Sequence, residues 1–128
     1  MEAFKKFEHK FEYRISGHSG DGADINFVAE GKYPKNEKEM FEVLHKMNQH
    51  AQFCLSGDNT LEATIQAIKN IKKEEADDYF VLVLSDANLA QYNISTKAIS
   101  DALKSNSEVN SYMIFIGSIK DQADELVS

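Results

Sequence analysis

One segment constrains the fold of this chain more than any other: Tyr79-Phe80-Val81-Leu82-Val83-Leu84, six apolar residues without a break. A strand that is apolar on both of its alternating faces is the mark of a parallel sheet covered on both sides. Leu82, at its middle, is therefore expected in the core. The run is far short of the ~20 apolar residues that cross a bilayer. A second continuous run, Tyr112 to Ile116, has the same character.

Helical spacing fills the chain around these runs. Residues 37–53 place Met40, Leu44, Met47 and Ala51 on one face, and residues 60–73 do the same with Leu61, Ile65, Ile68 and either Ile71 or Lys72. Residues 95–104 turn Ile99 and Leu103 inward, and residues 121–127 begin a further helix. Before the helices, residues 11–15 and 25–28 read as short strands. Strands alternating with helices imply an α/β fold with a parallel central sheet, in one domain spanning residues 1–128.

The charge balance narrows the partners. Fourteen Lys and Arg stand against 21 Asp and Glu, a formal net charge of −7. That excludes the basic footprint of a nucleic-acid binder and a polybasic patch for anionic lipid. The single cysteine, Cys54, is expected to form neither an internal disulfide nor a cysteine-based zinc site, and to serve as a small core residue. The opening residues MEAFKKFEHK are not a secretory leader, so the expected location is intracellular.

In a parallel sheet the binding crevice lies beyond the carboxyl ends of the strands. Four segments qualify: Gly17-His18-Ser19-Gly20-Asp21-Gly22, Ser56-Gly57-Asp58-Asn59-Thr60, Ser85-Asp86-Ala87-Asn88-Leu89 and Gly117-Ser118. The first falls short of a G-x-S-x-G nucleophile elbow, because Asp21 replaces the final glycine and no helix follows. It reads as a turn between two strands, with His18 at the crevice rim. In the second, Asn59 and Glu62 form a capping box, leaving the Thr60 hydroxyl to face the loop. In the third, Asp86 follows the most apolar strand and suits either an Asx-turn or a divalent cation. His9, His45 and His50 show no metal-ligand spacing among themselves.

HSGDG, FCLSGDNTLEAT, VLSDANL and IFIGS together resemble the von Willebrand factor A domain, in the form that closes a large AAA-type ATPase. The resemblance covers nearly the whole chain. It implies a Rossmann-like three-layer sandwich with a mostly parallel central sheet, and a mitochondrial setting. It also implies a metal-ion-dependent adhesion site, in which Mg2+ or Mn2+ takes a carboxylate from a protein partner. Thr60 and Asp86 match two of the five ligands, with Ser85, Asp58 and Ser19 as supporting candidates. The D-x-S-x-S loop that supplies the other three is absent from the sequence, as is a phosphate-binding G-x-x-x-x-G-K-[ST] loop. The expected chain is thus an incomplete, non-enzymatic, truncated domain that binds the ion weakly and associates through exposed sheet edges. The alternatives are a receiver-like phosphoacceptor, using Asp86 with Ser118 and Lys120, and a metal-free structural fragment.

Overall fold

A computed structural model describes residues 10–86 and 89–116. It divides into two compact units, Met1–Ser56 and Gly57–Ser128.

The first unit pairs a hairpin with a helix. Strands β1 (Ile15–Ser19) and β2 (Gly22–Val28) run antiparallel, with Ser19 opposite Gly22. The connection is therefore the two residues Gly20 and Asp21. The first strand was expected at residues 11–15 and instead begins at Ile15, so His18 and Ser19 lie within the strand, Ser19 paired with Gly22 and His18 at a register shift. Register shifts between Ile15 and Ser16 and between Gly17 and Ser19 let this polar segment pair despite its irregular pattern. A two-pronged ion pair from Arg14 to Asp24, at 2.6 Å, closes one edge of the hairpin.

Helix α1 (Glu37–Phe53) has the expected bounds. Asn36 caps it by accepting the Glu39 N–H at 2.9 Å, while Glu39 accepts the Lys35 N–H at 2.7 Å. Its inner stripe differs from the expected one. The half-buried positions are Met40, Val43, Met47 and His50, continuing to Cys54, whereas Leu44 and Ala51 are exposed. The helix is rotated by about one residue because β2 offers it the Phe27 ring, which meets His50 edge-on at 5.8 Å.

The second unit is a helix layer on a parallel strand pair. Helix α2 (Thr60–Ile71) leads to β3 (Tyr79–Ser85), a short 3-10 turn at Ala90–Tyr92, helix α3 (Thr96–Leu103) and β4 (Val109–Phe115). Strands β3 and β4 are parallel, in register from Tyr79 opposite Val109 to Ser85 opposite Phe115. Ser95 caps α3 by accepting the Ala98 N–H, and Ile99 and Ala102 are buried. Helix α2 packs on β3 and on α3. The core is Ile68, Val81, Val83 and Val109, with Ala67, Ile71, Tyr79 and Met113 against it.

Burial of β3 on both faces is corrected by the structure. Val81 and Val83 are 7% and 8% exposed, whereas Leu82 is 64% exposed. Phe80, Leu84, Tyr112 and Ile114 stand on the same open face, about half exposed. Helix α2 takes the valine face, and α3 packs on α2. Each described sheet has two strands, one pair antiparallel and one parallel. The architecture is mixed α/β. The helix expected over residues 121–127, together with Gly117, Ser118 and Lys120, lies outside the described residues.

Candidate functional site

The carboxyl end of β3 is built from α2 inward. Lys72, just beyond α2, sets its ammonium 4.2 Å over the Tyr79 ring and pairs with Glu108 at 3.1 Å. These contacts pin the end of α2 to the beginnings of β3 and β4. From Lys72 back to Thr60 is about 18 Å of helix at 1.5 Å per residue. From Tyr79 forward to Asp86 is about 23 Å of strand at 3.3 Å per residue. Thr60 and Asp86 each lie a full element's length from the Lys72–Tyr79 contact, and the carboxyl end of β3 is where a parallel sheet presents its crevice.

Thr60 is fully buried, and Thr64 nearly so. Asp58 accepts both the backbone N–H of Thr60, at 2.6 Å, and its hydroxyl, on the same Oδ1. The Thr64 hydroxyl donates to the Thr60 carbonyl at 2.7 Å. Both buried hydroxyls are thus satisfied locally, as burial demands. The capping box expected from Asn59 and Glu62 is corrected here: the Asn59 side chain makes no capping bond, and the Asp58 carboxylate takes the helix N-terminus instead. A carboxylate answers both the open N–H groups and the positive end of the helix dipole.

Ser85 is buried as the last residue of β3, and its carbonyl accepts the Ile116 N–H at 2.8 Å. Asp86 is exposed immediately beyond it. Ala87 and Asn88 lie outside the described residues. Thr60, Asp58, Ser85 and Asp86 share the second unit, whereas Ser19 and His18 belong to the first. Ser19 is buried there, donating to Asp21 Oδ2 at 3.2 Å and accepting the Asp21 N–H at 3.1 Å.

Two features went unread in the sequence. The buried row of α2 begins with threonines, Thr60, Thr64 and Ile68, a strict spacing of four that apolar counting passes over. In the first unit, His50 and Cys54 stand one turn apart on α1. Their spacing of four was the available signal, hidden because the histidines were compared only with one another.

No family model matches the chain. No solved structure matches it either. Among curated proteins, von Willebrand factor A domain-containing protein 8 of Mus musculus is 53% identical over 126 residues, which is 98% of this chain and 7% of that protein. The chain therefore spans well under a tenth of that relative's length. The likeness bears out the resemblance carried by FCLSGDNTLEAT and VLSDANL: the chain is related to a von Willebrand factor A domain-containing protein, which supports a domain of the von Willebrand factor A type.

Proposed function

We propose that this chain is a protein-binding module whose docking point is a divalent cation held in part by Thr60 and Asp86. The observation that supports the reading is the Lys72–Tyr79 contact, from which α2 runs back to Thr60 and β3 runs on to Asp86, each over a full element's length. The kinship to a von Willebrand factor A domain-containing protein supports a protein-interaction role. The donor set fits the group. Thr60, Asp58, Ser85 and Asp86 offer only oxygen, the preference of Mg2+ and Mn2+. The Thr60 hydroxyl spends its proton on Asp58, so its lone pairs remain for a cation.

In this reading Asp86 supplies the charge, Thr60 supplies a neutral oxygen, and Asp58 orients the threonine. The bound ion supplies an electrophilic position that accepts a carboxylate from a partner protein. The role is binding rather than catalysis, in the setting of a larger AAA-type ATPase. The open apolar face of β3 and β4 is, in the same reading, the face that a further helical layer covers in a three-layer sandwich.

The test is Mn2+ titration of the chain, followed by its paramagnetic broadening of amide signals. Binding is expected to be weak, in the millimolar range, because few ligands are present and affinity follows ligand number. Broadening centred on residues near Thr60 and Asp86, and lost in Asp86→Ala, supports the site. Broadening that survives Asp86→Ala overturns it.

A further inference from the structure

We propose that Asp21, His50 and Cys54 form a second, separate cation site, and that their chemistry selects Zn2+. A carboxylate oxygen of Asp21, a ring nitrogen of His50 and the Cys54 sulfur all lie within 4.8 Å of one another. In a tetrahedral zinc site, with bonds of about 2.0–2.3 Å, donors stand roughly 3.3–3.8 Å apart. The observed separations exceed that spacing by about 1–1.5 Å at most.

The backbone has already assembled the three groups. His50 and Cys54 are one turn apart, and the Cys54 N–H donates to the His50 carbonyl at 2.9 Å, fixing that last turn. Asp21 arrives from the hairpin turn. Its Oδ2 accepts the Leu55 N–H at 2.9 Å, and the Leu55 carbonyl accepts the Gly20 N–H at 3.2 Å. The turn is thus docked onto the residue that follows Cys54. Phe27 steadies the imidazole edge-on.

The imidazole carries the sign of a missing ligand. His50 Nε2 is buried and has no hydrogen-bond partner among the described residues. Buried polar atoms are nearly always partnered, and a cation bound by the imidazole is one way to meet that demand. The donor set is sulfur, nitrogen and oxygen, which suits borderline-soft Zn2+ and disfavours Mg2+. Thiolate and carboxylate together neutralise a dication, the thiol proton passing to solvent on binding. Three protein ligands leave the fourth position to water or an incoming donor. Nothing in this site depends on Thr60 or Asp86.

The experiment is a Co2+ titration of the purified chain, with Zn2+ as competitor. A thiolate-to-cobalt charge-transfer band is expected, displaced by one equivalent of Zn2+ and not by excess Mg2+. Asp21→Ala and His50→Ala are each expected to weaken Zn2+ binding by at least about 10-fold. Cys54→Ser should abolish the band, and Asp86→Ala should leave it unchanged. A second readout needs no variant: Zn2+ should protect Cys54 from alkylation and shift the His50 ring signals. Alkylation at the same rate with and without Zn2+ overturns the proposal. So does Zn2+ affinity equal to that of the parent in both Asp21→Ala and His50→Ala.

Discussion

Asp58 Oδ1 accepts both the backbone N–H and the hydroxyl of Thr60, so one oxygen caps α2 and aims the threonine. The pair ties helix stability to the candidate ligand. Asp58→Ala removes a charge-assisted cap and is expected to destabilise the chain by about 1–2 kcal/mol. Thr60→Val keeps the backbone bond but leaves the half-buried Asp58 carboxylate one donor short, an effect of about 1 kcal/mol. Thr60→Ser restores the hydroxyl and should recover most of that loss. Urea unfolding of the three variants checks the order. A Thr60→Ser variant as weak as Thr60→Val would show that the methyl group, and not the hydroxyl, holds the position.

Strand β3 separates its two faces sharply. Val83→Asp buries an unpaired carboxylate against Ile68 and Val109, which costs several kcal/mol. That is comparable with the whole stability of a domain, about 5–15 kcal/mol. Leu82→Asp, one residue away, lands on the open face and should change stability by no more than about 0.5 kcal/mol. It should also reduce self-association, since it breaks the apolar patch formed with Phe80, Leu84, Tyr112 and Ile114. Thermal melts and sedimentation of both variants decide. Unfolding by Leu82→Asp would mean that this face is covered in solution.

Gly20 and Gly22 flank the same turn and should respond differently. A Cβ on Gly20 would sit 2.8 Å from the Leu55 carbonyl oxygen and closer still to that of Ser56, both unyielding backbone. Gly20→Ala is therefore expected to destabilise by about 1–3 kcal/mol, the range for overpacking. A Cβ on Gly22 meets nothing within 4 Å, so Gly22→Ala should be nearly neutral. Hydrogen exchange at the Leu55 amide gives the sharper reading. Its protection should fall in Gly20→Ala and in Asp21→Ala, and hold in Gly22→Ala.

Helix existence and approximate bounds were legible from apolar spacing, whereas the one capping box read, at Asn59 and Glu62, does not form. The caps at Asn36 with Glu39 and at Ser95 came from the structure. Which face turns inward was less legible. On α2 the buried row starts with Thr60 and Thr64, whose hydroxyls are satisfied by Asp58 and by the Thr60 carbonyl, so polarity did not bar burial. On β3 the unbroken apolar run correctly implied a strand, but Leu82 and Val83 look alike in sequence and differ only in what packs on them. The triad of Asp21, His50 and Cys54 was illegible for a topological reason: Asp21 lies about thirty residues before its companions, and only the docking of the hairpin turn onto Leu55 brings it near.

The proposed adhesion-type site calls for oxygen ligands from a D-x-S-x-S segment, a motif that does not occur in these 128 residues. A sheet edge is a row of unmet N–H and C=O groups, and such rows accept an added strand. A synthetic peptide supplying a β-strand followed by D-x-S-x-S should therefore bind the second unit and bring three further oxygen ligands with it. If those ligands join Thr60 and Asp86 around one ion, the coupling must be reciprocal: Mg2+ tightens the peptide by the same factor that the peptide tightens Mg2+. A coupling of 1–3 kcal/mol corresponds to about 5–150-fold, well within reach of calorimetry. The titration is run with and without Mg2+, in the parent chain and in Asp86→Ala. Tighter peptide binding with Mg2+ in the parent alone places the ion between the two partners. Equal peptide affinity under all four conditions leaves strand addition and removes the metal. Absence of peptide binding in every condition shows that the edges of β3 and β4 are closed to a further strand, and with it that the ligand set cannot be completed in this way.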